Sequence, residues 1–168
     1  MSDDDLDQRL TAAGIRLTAL AGELQRAEPW PFAARFDHAP EASWGPPEIL
    51  AHLEEMLLFW LGEVERILEP GAGAVTFGRA PTDDRRLAII ARDRTLPVSE
   101  LVDRVQLGIE RWRRRWTELD AERRQQGADH LSLGRMTVTD IATRLAVGHL
   151  ESHLDQLAAA IAGGRPAG

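Results

Sequence analysis

The stretch GRMTVTDIATRLAVGHLESHLDQLAAAI, residues 134–161, carries the clearest helix signal in the chain. Thr137 followed three residues later by Asp140 matches a capping box, with aspartate standing where glutamate or glutamine is usual. The helix that starts there is expected to run to Gly163 and Gly164, residues suited to a helix end. His149 and His153 are four apart within it, so they lie about one turn apart on one face, with ring nitrogens able to converge on one ion. Leu145, Ser152 and Gln156 share that face, whereas Glu151 and Asp155 point away from it. HLESH is not a zincin motif, because in H-E-x-x-H the glutamate directly follows the first histidine.

Working outward, ILAHLEEMLLFWLGEVERIL (residues 49–68) is a second amphipathic segment, and the helix holding it is expected from about Pro47 to Leu68, where Pro70 and Gly71 stop it. Leu6, Leu10, Ala13, Leu17, Leu20 and Leu24 recur every three or four residues and predict a helix over Leu6 to Ala27. Asp3, Asp4 and Asp5 suit its N-terminus electrostatically. Leu101, Val105, Ile109, Trp112 and Trp116 form a stripe that predicts a helix over roughly Ser99 to Gln125, ended by Gly127. Residues 28–47, rich in proline and aromatics, read as an ordered connection. Residues 70–97 hold a Gly-rich loop and then DDRRLAIIARD, a short helix. So long a connection reads as a crossover that lets its flanking helices run parallel. GADHLSLGRM reads as a loop, and no stretch alternates convincingly enough to predict a strand. The expectation is all-α: a four-helix bundle plus one short helix, in a single domain over 1–168 with its core from about 6 to 162.

Composition narrows the chemistry. At 168 residues, 43% hydrophobic and 28% charged, the chain has room for a real core. No apolar run reaches the ~18 residues of a membrane span, and the acidic start MSDDDLDQRL is unlike a secretory signal, so a cytoplasmic location is expected. Cysteine is absent, which removes disulfides, thiolate ligands and a cysteine nucleophile. All 20 basic residues are arginine, which excludes lysine Schiff-base catalysis and a P-loop lysine. The net charge of −7 gives no footprint for nucleic acid. In RWRRRW (Arg111 to Trp116) the tryptophans belong to the buried stripe, and the run is read as core plus solvated face. Trp30, Trp44 and Trp60, with Phe32, Phe36 and Phe59, are read as core or loop anchors. There is no dinucleotide fingerprint and no nucleophile elbow.

The residues that remain for chemistry are the histidines. His52 lies in the second helix and meets His149 and His153 only if the two helices pack face to face. A histidine on an apolar face is otherwise a packed core residue, so both readings stand at this point. Three neutral imidazoles would suit zinc, nickel or ferrous iron, and would leave at least one position for water or a substrate atom. Glu55, three after His52, is the nearest candidate base, with Glu48 one turn earlier as the weaker one. Arg135, just before the last helix, is a candidate to hold an acidic substrate or a cofactor carboxylate. His38 and His130 read as surface loop histidines.

SWGPPEILAHLEEM, the long crossover and GRMTVTDIATRLAVGHLESHLDQL together resemble the DinB/YfiT-like superfamily of metal-dependent enzymes, over about Leu6 to Ala162. The diagnostic part is one histidine in the second helix and two spaced by four in the last, which His52, His149 and His153 match. The resemblance implies an up-down-down-up four-helix bundle with a zinc, nickel or similar divalent ion near one end. It also implies a small-molecule substrate and either hydrolysis or transfer or isomerisation with a low-molecular-weight thiol of mycothiol or bacillithiol type. The alternative is a non-catalytic helical module for dimerisation or small-ligand binding, with a structural or incidental metal. A homodimer is compatible with either.

Overall fold

Apolar spacing of three and four produces the long helices of the computed structural model, which describes residues 3–33, 41–71 and 75–163. Helix α1 spans Asp3–Arg26, α2 Pro46–Leu68, α3 Asp84–Asp93, α4 Val98–Glu118 and α5 Ala121–Gln125. A C-terminal helical rod is built of α6 (Val138–Asp140), a π-helical segment (Ile141–Val147) and α7 (Gly148–Ala162). The expected N-cap is present: Thr137 and Asp140 form a reciprocal capping box.

Helices α1 and α2 each pack against α4 and the C-terminal rod, which makes a four-membered bundle. Cross-helix pairs fix the directions. Glu54, Leu57 and Glu65 of α2 meet Arg104, Trp112 and Arg115 of α4 in the same order, so these helices run parallel. Asp7 of α1 meets Arg113, while Gly14 meets Gln106, so α1 and α4 are antiparallel. Arg9 and Arg16 of α1 pair with Glu151 and Asp155, so α1 and α7 are parallel. The topology is up-down-down-up, and the crossover through α3 makes the parallel α2/α4 pair possible.

The bundle interior is made by the predicted stripes: Leu6, Leu10 and Leu17, then Leu53 and Leu57, Val105 and Trp112, and Leu150 and Leu154 are all buried. Trp112 also donates its indole N–H to the Leu57 carbonyl at 2.8 Å. Gly108 lets α2 and α4 approach closely, since a Cβ there would lie 3.1 Å from a Leu57 methyl. No helix among the described residues is long and apolar enough to cross a membrane.

Three expectations need correction. The chain does contain strands: β1 (Thr76–Phe77), β2 (Gly127–His130) and β3 (Gly134–Thr137) form a small sheet, with β2 parallel to β1 and antiparallel to β3. GADHLSLGRM is thus largely a hairpin, turned at Gly134 with φ 77°. The helix expected to Gln125 breaks after Glu118, because Asp120 caps a new helix by accepting from the Arg123 N–H. A second short helix, α5, therefore joins α3.

Candidate metal centre

Two helices and one short turn build the site. Pro46 and Pro47 start α2 in its first turn, where missing N–H groups cost nothing, and His52 follows about two turns in, buried. His149 and His153 lie on α7, the helix antiparallel to α2. Immediately before α2, a 3₁₀ turn at Glu41–Ser43 presents Glu41. The ring nitrogens converge: Nε2 of His52 lies 3.2 Å from Nε2 of His149, which lies 2.9 Å from Nε2 of His153. Glu41 Oε2 is 3.4 Å and 3.5 Å from the same atoms of His149 and His153, and Oε1 is 3.8 Å from that of His52. The sequence brought the three histidines together as expected and missed the carboxylate.

These separations test whether an ion fits. Four ligand atoms around a tetrahedral zinc, with bonds of about 2.0–2.1 Å, stand roughly 3.3 Å apart along each edge. Among Nε2 of His52, His149 and His153 and Oε2 of Glu41, four separations run from 2.9 to 3.5 Å and bracket that value, with the other carboxylate oxygen 3.8 Å from His52. The hydrogen-bond network also sets one ring the right way round. Gln156 donates its amide Nε2 to the carbonyls of Glu41 (3.0 Å) and Trp44 (3.3 Å), so its Oε1 must be the acceptor facing His153 Nδ1 at 2.9 Å. Neutral His153 therefore carries its proton on Nδ1 and turns the Nε2 lone pair toward the cluster. The donor set and its spacing fit a divalent ion that accepts nitrogen ligands.

Arg86 of α3 supports the site from behind. It is buried, donates to Glu41 and to the Pro81 carbonyl (2.7 Å), and stands over Trp44, whose ring contacts His52 edge-on. Its Nη2, which carries a second N–H, also approaches His52 Nδ1 at 3.4 Å, the long limit of a hydrogen bond. Burial, followed by the nearby Arg86 charge, holds the His52 pKa well below its ordinary value, so the ring is neutral and suited to ligation. Burial pushes the Glu41 carboxyl up, but the adjoining imidazoles of His149 and His153 and the charge of Arg86 outweigh it and hold the group far below the usual carboxylate range. His149 and Glu41 keep 35% and 25% of their side chains exposed, so the cluster opens to solvent. The opening is a shallow cleft of about 450 Å³ lined by Glu41, Arg144, Gly148, His149, Ser152, His153 and Gln156.

The remaining candidates lie elsewhere. Glu55 is buried but pairs with Arg79 at 2.5 Å and lines a separate cleft of about 580 Å³ between α2 and α3. Glu48 is fully buried and holds Arg94 (2.9 Å) and the Ala33 N–H (2.9 Å). Arg135 is exposed on β3, 4.0 Å from Asp129, and does not line the metal cleft. His130 is half-buried on β2 against Phe77, not on the surface as expected. His38 and Phe36 lie outside the described residues. Arg113 and Arg115 of the RWRRRW run pair with Asp7 and Glu65.

No family model matches the sequence, and no curated protein does. Among solved structures the chain is similar to YfiT from Bacillus subtilis, described as a probable metal-dependent hydrolase with an unusual four-helix bundle topology. The two align with a TM-score of 0.64 at 17% identity, over 95% of this chain and 87% of that one. Likeness at that identity establishes the fold, which is the one the sequence resemblance implied.

Proposed function

We propose that this protein is a metal-dependent enzyme of hydrolytic type, with one divalent ion, zinc or nickel, held by His52, His149 and His153. The observation that carries the reading is the convergence of three Nε2 atoms, His149 lying 3.2 Å from His52 and 2.9 Å from His153, beside a carboxylate in a cleft open to solvent. When bound, such an ion polarises a substrate oxygen and acidifies water, or a thiol, toward neutral pH.

The chain's own residues do the rest. His52 and His153, nearly enclosed, fix two corners, and His149 borders the opening through which a small substrate enters. Glu41 stays ionised across the physiological range because Arg86 and the imidazoles face it. A carboxylate so strongly stabilised is a poor proton acceptor near pH 7, so it serves as a fourth donor or as a hydrogen-bond acceptor that orients the attacking group. It takes the position expected of Glu55, which Arg79 holds in another cleft.

One observation favours a second reading: Glu41 supplies a fourth donor, and four protein donors can close a zinc site into a structural one. The test is to load wild type, His52→Ala and Glu41→Gln with zinc or nickel and screen ester, amide and phosphoester hydrolysis alongside thiol transfer. Metal-dependent turnover lost in His52→Ala supports the enzyme. Transfer in place of hydrolysis would keep the site and change the reaction. Stoichiometric metal with no turnover on any substrate class, and a large loss of stability on stripping, would support the structural ion.

A further inference from the structure

One arginine stands in the cleft with no established task. Arg144 lines the opening with His149, Ser152 and His153 and is itself exposed. Among the described residues it makes no hydrogen bond or ion pair, and the Asp140 carboxylate that feels its charge is engaged in the capping box. Most other guanidiniums near the bundle are committed: Arg9 to Glu151, Arg16 to Asp155, Arg79 to Glu55, Arg86 to Glu41 and Arg94 to Glu48.

The winding of the helix explains how Arg144 reaches the cleft. In an α-helix, at about 100° per residue, Arg144 and His149 would point roughly 140° apart. Residues Ile141–Val147 are instead π-helical, with the Gly148 N–H bonded to the Thr143 carbonyl five residues back. The π winding turns less per residue than an α-helix, so Arg144 swings back toward the side of His149, and the two line one cleft. Gly148 contributes no side chain between them, leaving the floor of the cleft open.

Charge then selects the ligand. Glu41 and Arg86 cancel, imidazoles that ligate an ion are neutral, and a divalent ion with Arg144 leaves the cleft net positive on a chain of net charge −7. A guanidinium at the rim presents paired donors that match a planar carboxylate or a phosphoryl group. Resting on the metal-site reading, we infer that Arg144 is the oxyanion receptor of this cleft and that the substrate is a small molecule bearing a carboxylate or phosphoryl group. On this inference Arg144, six residues into the rod, takes the role expected of Arg135.

The experiment uses full-length protein loaded with cobalt(II), whose visible bands report its ligand field, titrated separately with acetate and inorganic phosphate. Wild type, Arg144→Gln and Arg135→Gln are compared, with cobalt content measured for each. The expected result is saturable band shifts in wild type and Arg135→Gln, and an affinity lower by about tenfold to a hundredfold in Arg144→Gln at unchanged cobalt content. Tighter acetate binding would identify a carboxylate and tighter phosphate binding a phosphoryl group, either one supporting the inference. Equal anion affinity in wild type and Arg144→Gln, or no anion response in cobalt-loaded wild type, would overturn it. Absence of bound cobalt in wild type would refute the metal reading itself and remove this inference with it, a result distinct from the other two.

Discussion

Gln156 is the residue through which the site is most sharply tested, because one side chain orients two of the proposed donors. Its Oε1 accepts from His153 Nδ1 at 2.9 Å, and its Nε2 holds the carbonyls of Glu41 and Trp44 at 3.0 and 3.3 Å. Replacing it with leucine removes both functions. Losing the outer partner of a metal-ligating histidine lowers affinity by about 10- to 100-fold, which is roughly 1.4–2.7 kcal/mol. The freed carbonyls of Glu41 and Trp44 lose their shared donor, which loosens the turn that holds Glu41. We expect Gln156→Leu to bind zinc about 100-fold more weakly than wild type, at the upper end of that range. Gln156→Glu separates the two functions: a carboxylate still accepts from His153 Nδ1, more strongly if anything, but no longer donates to the 3₁₀ turn. It should lose less than about tenfold. The assay is competition for zinc against a chromophoric chelator at fixed pH, with urea unfolding as a check on the fold. A Gln156→Leu affinity within about threefold of wild type, less than about 1 kcal/mol, would refute the argued orientation of His153.

Other outcomes follow from the same geometry. Trp112→Ala removes a buried ring and its bond to the Leu57 carbonyl from the α2/α4 seam, and should cost about 3–5 kcal/mol in urea unfolding; a loss below about 1 kcal/mol would contradict the packing described. Arg86→Met strands the Glu41 carboxylate, which is one quarter exposed, so the cost in metal-free protein should be about 1–3 kcal/mol, under the fully buried case. Because a bound cation would neutralise Glu41, that cost should shrink on zinc loading, and an equal cost with and without zinc would speak against Glu41 facing the ion. Metal-free protein should lose stability on acidification in two stages. His52, with its folded pKa depressed, makes the unfolded state the better proton binder below about pH 6.5, and Glu41, also depressed, withdraws its contribution as pH falls below 4.5. Unfolding free energies that stay flat between pH 7 and 5 would contradict the burial of a neutral His52.

The bundle was legible because its helices are long and periodic, and its end signals were explicit at Thr137 and Asp140 and at Pro46 and Pro47. The His149/His153 pair was legible because a spacing of four on one helix survives any packing arrangement, whereas His52 joined it only through the packing that the family resemblance implied. Glu41 was not, since it sits in a connection with no period and reaches the site only through the fold of a 3₁₀ turn. The hairpin at 127–137 was hidden by its brevity and by Gly127, Asp129, Gly134 and Arg135, residues that weaken a strand signal. The break after Glu118 did leave a trace in Asp120, a good N-cap that the tryptophan stripe overshadowed. The π segment left none: Ile141, Ala142, Leu145 and Ala146 read as ordinary α-helical spacing, and only the burial of Ile141 and Ala142 followed by Ala146 and Val147 shows the wider step. The π winding brings Arg144 to the edge of the cleft.

The central claim is that His52, His149 and His153 hold one divalent ion, and metal content tests it most directly. Tag-free wild type and the His149→Ala/His153→Ala variant, purified in parallel, are to be measured by elemental mass spectrometry before and after reconstitution with zinc or nickel. The account predicts close to one ion per chain in wild type and almost none in the variant, with helical content preserved in both because the bundle has its own apolar core. Wild type that stays metal-free after reconstitution, or a variant that retains its ion, would contradict it.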